Sequence, residues 1–123
     1  GDSRAYISTD EKLQQITIDH TVVQALFEQG KITQPEMREH PQKNYITKAV
    51  GTSEIIEPDY FEIDIYGNEK ILMCSDGLTN YSSDEEIFDI INKNSLEDAL
   101  DKLLKLALSK GGNDNVTLML IAD

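Results

Sequence analysis

Three observations predict an α+β fold. Tyr60, Glu62, Asp64 and Tyr66 alternate with Phe61, Ile63 and Ile65, the period of a half-buried strand. Ile71–Cys74 and Val116–Ile121 are apolar runs of strand length. Between them lie two segments opened by Ser83 with Glu86 and by Ser95 with Asp98, each followed by apolar residues at helical spacing.

The remaining elements follow in chain order. Ala5–Ser8 and Lys12–Thr17 read as a β-hairpin turned by the polar Thr9-Asp10-Glu11. Asp19 or Thr21 caps a helix with Val22, Val23, Leu26 and Phe27 on one face, ending at Gly30. Thr33 and Glu36 form a capping box for a short helix that stops before Pro41, in a segment with few apolar residues. Residues 43–58 are mixed, with a bend at Gly51-Thr52-Ser53; Gly67-Asn68 then turns the Tyr60–Tyr66 strand into Ile71–Cys74, a hairpin whose second strand ends at Asp76. The helix after Ser83 places Ile87, Ile90 and Ile91 inward, and that after Ser95 places Leu96, Leu100, Leu103, Leu104 and Ala107 inward before stopping at Lys110 and Gly111. Val116–Ile121 reads as a fully buried terminal strand.

The 123 residues amount to one domain, and no repeat or linker divides them. A net charge of -12, from 23 acids and 11 bases, opposes binding to phosphate backbones and anionic lipid and favours cationic ligands. No apolar run approaches the roughly 20 residues that span a bilayer, no signal peptide is visible, and the lone Cys74 lies in an apolar strand as a buried thiol; a cytoplasmic setting is expected. The chain opens on Gly1-Asp2-Ser3-Arg4 without a methionine, which reads as a fragment.

Most of the functional signal is in two acids. Asp76 follows the apolar run Ile71–Cys74 and Ser75 and precedes Gly77; Asp114 lies in Gly111-Gly112-Asn113-Asp114-Asn115 just before the last strand. Carboxylates held at strand ends, with glycines that let ligands approach the backbone, suit a hard cation. Asn115 reads as an orienting or backbone-bonding neighbour of Asp114. His20 and His40 read as structural, and Arg4 and Arg38 are the only arginines, with surface or ion-pair roles.

Together and in order, Gly1-Asp2-Ser3-Arg4, Ser75-Asp76-Gly77-Leu78 and Gly112-Asn113-Asp114-Asn115-Val116-Thr117 resemble the C-terminal half of bacterial type-2C metal-dependent serine/threonine protein phosphatases. Thr17-Ile18-Asp19-His20-Thr21, Gly30-Lys31-Ile32-Thr33 and His40–Thr47 resemble that family's flap. The resemblance implies part of an α-β-β-α layered β-sandwich, a flap subdomain over about residues 19–50, and a site for two Mn2+ or Mg2+ ions with a weaker third. By the same resemblance Asp76 and Asp114 match metal ligands, Asp2 matches a ligand of the third ion, and Gly77 and Asn115 are their close neighbours. No catalytic residue beyond the metal ligands is assigned, and no substrate-binding residue.

The implied reaction is hydrolysis of phosphoserine and phosphothreonine in proteins by metal-activated water. The implied substrates are cytoplasmic phosphoproteins made by a serine/threonine kinase. The family's metal-bridging carboxylate belongs to an earlier Asp-Gly segment, whereas the only Asp-Gly here is Asp76-Gly77, so this chain alone is expected to be inactive or nearly so. Half a sandwich would also leave an apolar sheet face, with Ile71, Met73, Val116 and Leu118, to be covered by self-association or by the other half. The competing reading is a non-catalytic module that binds a phosphoprotein or regulatory partner. Other chemistries fail on their spacing: Asn80 stands where a cysteine phosphatase needs arginine, and no P-loop, His-Glu-x-x-His or EF-hand pattern is present.

Overall fold

A computed structural model describes residues 1–111 and 114–123. The chain forms two compact units, one of Gly1–Asp2 with Ile18–Tyr60 and one of Ser3–Thr17 with Phe61–Asp123.

The second unit is built on a four-stranded antiparallel sheet. β1 (Arg4–Ser8) and β2 (Leu13–Gln15) form the expected hairpin, whose turn is closed by Thr9 N–H donating to Lys12 O at 2.9 Å. β3 (Lys70–Cys74) and β4 (Leu118–Ala122) complete the order β2-β1-β3-β4. Tyr60–Tyr66 does not form the strand that its alternation predicts, and there is no hairpin to β3. Both edges of β3 are already taken, by β1 and by β4, so a hairpin partner from residues 60–66 has no ladder to join.

Among the described residues three helices follow β3. A short α3 (Asp76–Thr79) leads into α4 (Asp84–Lys93) and α5 (Leu96–Ser109). The capping chemistry is as read: Ser83 Oγ accepts from Glu86 N–H at 3.2 Å while the Glu86 carboxylate accepts from Ser83 N–H at 3.1 Å, and Ser95 Oγ accepts from Asp98 N–H at 3.3 Å. Tyr6, Leu72, Cys74, Leu78, Ile87, Ile91, Leu103 and Ala107 form the core between the sheet and these helices, with Leu13, Val116, Leu118 and Leu120 against it.

Register explains two departures from the sequence reading. Successive side chains on a strand face opposite ways, so Leu118 and Leu120 reach the core while Met119 and Ile121 are 57% and 46% exposed. β4 is therefore half-buried rather than fully buried. Met73 pairs with Met119 and Ala5, and Ile71 with Ile121 and Ile7, which places these residues on an open apolar sheet face. Val116 and Leu118, expected on that face, belong to the covered side. On α5 the buried line is Ala99, Leu103 and Ala107; Leu96, Leu100 and Leu104 flank it and are exposed.

The first unit holds α1 (Val22–Glu28) and α2 (Gln34–Glu39). Thr21 is the α1 cap, its Oγ1 accepting from Gln24 N–H at 3.2 Å, and Gly30 turns the chain out of the helix at φ +72°. The Glu36 carboxylate accepts from Thr33 N–H and Oγ1 at 3.1 and 2.8 Å, which holds its pKa below the usual carboxylate range. An isolated bridge joins Thr21 to Ile46.

Candidate metal site

β3 ends at Cys74, and the chain turns at once into α3, so Asp76 is the first residue of a helix rather than the last of a strand. Asn80, one turn on, donates from its side-chain amide to Asp76 Oδ2 at 3.4 Å and from its backbone N–H to Asp76 O at 2.9 Å. Asp114 is exposed; its Oδ1 accepts from Asn115 N–H at 2.7 Å, so Asn115 serves this carboxylate through its backbone. Gly112 and Asn113 of the same motif lie outside the described residues.

The segments that carry the two acids are bound together. Ser75 N–H donates to Thr117 O at 2.9 Å, Thr117 N–H donates to Ser75 Oγ at 3.0 Å, and Ser75 Oγ donates to Asn115 O at 3.4 Å. Buried Gly77 explains how close they come: a Cβ there would stand 2.3 Å from Asn115 O and 3.0 Å from Val116 Cγ2. Asp76, Gly77, Asp114 and Asn115, singled out in the sequence, lie on these two segments; Ser75 and Asn80, which bond to them, were given no role there. The helical offset from Asp76 to Asn80 could have disclosed the second; bonds reaching forty residues ahead leave no local signature for the first.

Asp2 lies in the first unit and is half-buried. In that unit His20 Nε2 is 2.7 Å from Asp59 Oδ2, and Lys48 Nζ lies 3.7 Å from Asp59 Oδ1. The His20 hydrogen bond is the main cause of an Asp59 pKa below the usual range. His40 Nδ1 accepts from Gln42 N–H at 3.0 Å, an end-of-helix role.

The donor set of Asp76 and Asp114, two hard carboxylates on neighbouring segments, fits a divalent cation in kind. In number it is short: among the described residues no group of three or more His, Cys, Asp or Glu comes together to hold a metal. Arg4 Nη1 donates to Tyr6 Oη at 3.0 Å, tying that arginine to the core tyrosine. Burial pushes the Tyr6 phenol up to about 12 despite the neighbouring Arg4 guanidinium.

The Protein phosphatase 2C family profile matches residues 1–116. The chain belongs to that family. It is 38% identical over 122 residues to the serine/threonine phosphatase stp of Listeria welshimeri, a match covering 98% of this chain and 48% of that protein. Its structure matches the Mycobacterium tuberculosis serine/threonine phosphatase PstP/Ppp with a TM-score of 0.91 and 40% identity, over all of this chain and 52% of that one. It also matches the catalytic domain of serine threonine protein phosphatase PstP in complex with two manganese ions, with a TM-score of 0.84, 38% identity, and coverage of 100% and 50%. The fold is thus the α+β fold of these phosphatases, and the chain spans about half the length of the relatives it matches.

Proposed function

We propose that this chain is the C-terminal half of a catalytic domain that hydrolyses phosphoserine and phosphothreonine in proteins. The observation that carries the reading is the bonding of the Asp76 and Asp114 segments, through Ser75 and across Gly77, in a member of this family. In the proposal Asp76 and Asp114 are metal ligands, and Asp2 is a ligand of a weaker third ion. Bound Mn2+ or Mg2+ ions supply a water of lowered pKa and charge stabilisation at the phosphoryl group. The chain's part is to hold carboxylates in place, Asp76 by Asn80 and Asp114 by the Asn115 amide. Residues 19–50 act as the flap, and the substrates are cytoplasmic phosphoproteins made by a serine/threonine kinase.

The remaining ligands come from the N-terminal half, which also covers the open face with Ile71, Met73, Met119 and Ile121. Its burial of apolar area is worth about 25 cal/mol per Å2. Alone, the chain is inactive and self-associates through that face.

Manganese titration of the chain tests the site: saturable binding that Asp76→Asn and Asp114→Asn each weaken at least about tenfold is expected, as for loss of a ligand. Addition of a relative's N-terminal half should then produce Mn2+-dependent hydrolysis of a phosphothreonine peptide. Binding without turnover in the completed domain would favour the second reading, a non-catalytic module for a phosphoprotein or regulatory partner.

A further inference from the structure

Ser75 stands where the sheet stops and a helix begins. In a regular antiparallel rung two residues exchange both backbone bonds. Ser75 and Thr117 make only half of that exchange through the backbone, Ser75 N–H to Thr117 O at 2.9 Å. The Ser75 carbonyl has left the ladder and accepts from Leu78 N–H at 3.3 Å, within the turn that starts α3. Thr117 N–H is satisfied instead by Ser75 Oγ at 3.0 Å. Ser75 is also the N-cap residue of α3, yet its hydroxyl makes no capping bond to that helix. It is turned across to the other segment, where its proton reaches Asn115 O at 3.4 Å.

We infer that Ser75 is a positioning residue of the metal site, its hydroxyl replacing its own carbonyl at the last rung so that Asp76 and Asp114 keep a fixed offset. The argument is one of substitution. Were the carbonyl to stay in the ladder, β3 would run on and α3 could not begin at Asp76. Were the hydroxyl absent, the Thr117 amide would lose its acceptor and the Asn115 carbonyl its donor, and the segment carrying Asp114 and Asn115, which leads into β4, would be released at the end nearest Asp76. Both bonds join residues that flank the two acids, Ser75 just before Asp76 and Asn115 and Thr117 just after Asp114, so the effect falls on their spacing. This inference rests on the proposed metal site.

The experiment uses the 123-residue chain, with Mn2+ titration and amide hydrogen exchange read together. Ser75→Ala should weaken Mn2+ binding ~10–100-fold, the usual cost of losing a group that supports a ligand, and speed exchange of the Thr117 amide. Ser75→Thr, which keeps a hydroxyl, should restore most of the affinity. Ser83→Ala removes a cap elsewhere, on α4, at a comparable cost in fold stability, and should leave Mn2+ affinity unchanged. The inference is overturned if Ser75→Ala binds Mn2+ as the unsubstituted chain does, loses no more than Ser83→Ala, or leaves Thr117 exchange unaltered. If Asp76→Asn binds no differently from the unsubstituted chain, the metal site itself falls; Asp76-dependent binding that Ser75→Ala leaves intact refutes only the role of Ser75.

Discussion

Replacing Gly77 by alanine opposes two effects of known size. Gly77 lies inside α3, and its φ is not positive, so alanine gains roughly 1 kcal/mol of helix propensity over glycine at such a position. Against that, the new methyl would sit 2.3 Å from Asn115 O and 3.0 Å from both Asn115 C and Val116 Cγ2. The first contact is with backbone, about 1 Å inside normal separation, so no rotamer change relieves it. Overpacking of this kind costs about 1–3 kcal/mol, occasionally more. A 2.3 Å contact with backbone belongs at the top of that range, about 3 kcal/mol, so the clash should win with a net loss of about 2 kcal/mol, near a thirtyfold change in the folded-to-unfolded ratio. Urea unfolding followed by circular dichroism reads this loss, and Mn2+ titration reads whether the Asn115 segment has been displaced. An alanine variant as stable as the parent, with the same Mn2+ affinity, would refute the close approach on which the site is argued.

Other outcomes follow from the same structure. Leu103→Ala empties a fully buried position between the sheet and α5 and should destabilise by about 2–5 kcal/mol in the same urea assay. Ser95→Ala removes the side-chain acceptor of the α5 cap and should cost about 1 kcal/mol, with little effect on α4 amide exchange. Tyr6 predicts an alkaline step. Its folded pKa is raised above the ordinary 10, so its contribution is whole below pH 10 and is lost as pH rises toward 12. Across that window the unsubstituted chain should lose stability more steeply than Tyr6→Phe.

Local chemistry made much of the fold legible. Capping pairs, turn residues and apolar runs located the first hairpin, α1, α2, α4, α5 and both long strands, because each depends on residues within a turn of one another. Pairing was not legible. The alternation at Tyr60–Tyr66 says that the segment has two unlike faces, which persist as a difference between Phe61, 43% exposed, and Tyr60, 87% exposed. It does not say which strand is free to accept it. For α5, leucines at the right spacing outnumber the buried places, and the small Ala99 and Ala107 take two of them, one turn either side of Leu103. At the site the two acids stood out by their motifs, whereas Ser75 acts across forty residues of chain and Asn115 through its backbone, neither of which side-chain type reveals.

The strand order has a consequence for how the chain reaches this state. β3 pairs with β1 only after roughly sixty intervening residues have been brought round, and with β4 after more than forty. Nearly every rung beyond the first hairpin is therefore a long closure, and folding should be slow for a chain of this size. During synthesis β1 and β2 must wait for the whole Ile18–Tyr60 insertion to emerge before the central strand exists. Halving that insertion would shorten the β1–β3 loop from roughly sixty to about forty residues and remove about 0.4 kcal/mol of closure entropy, enough to speed folding about twofold if the β1–β3 rungs form before the barrier.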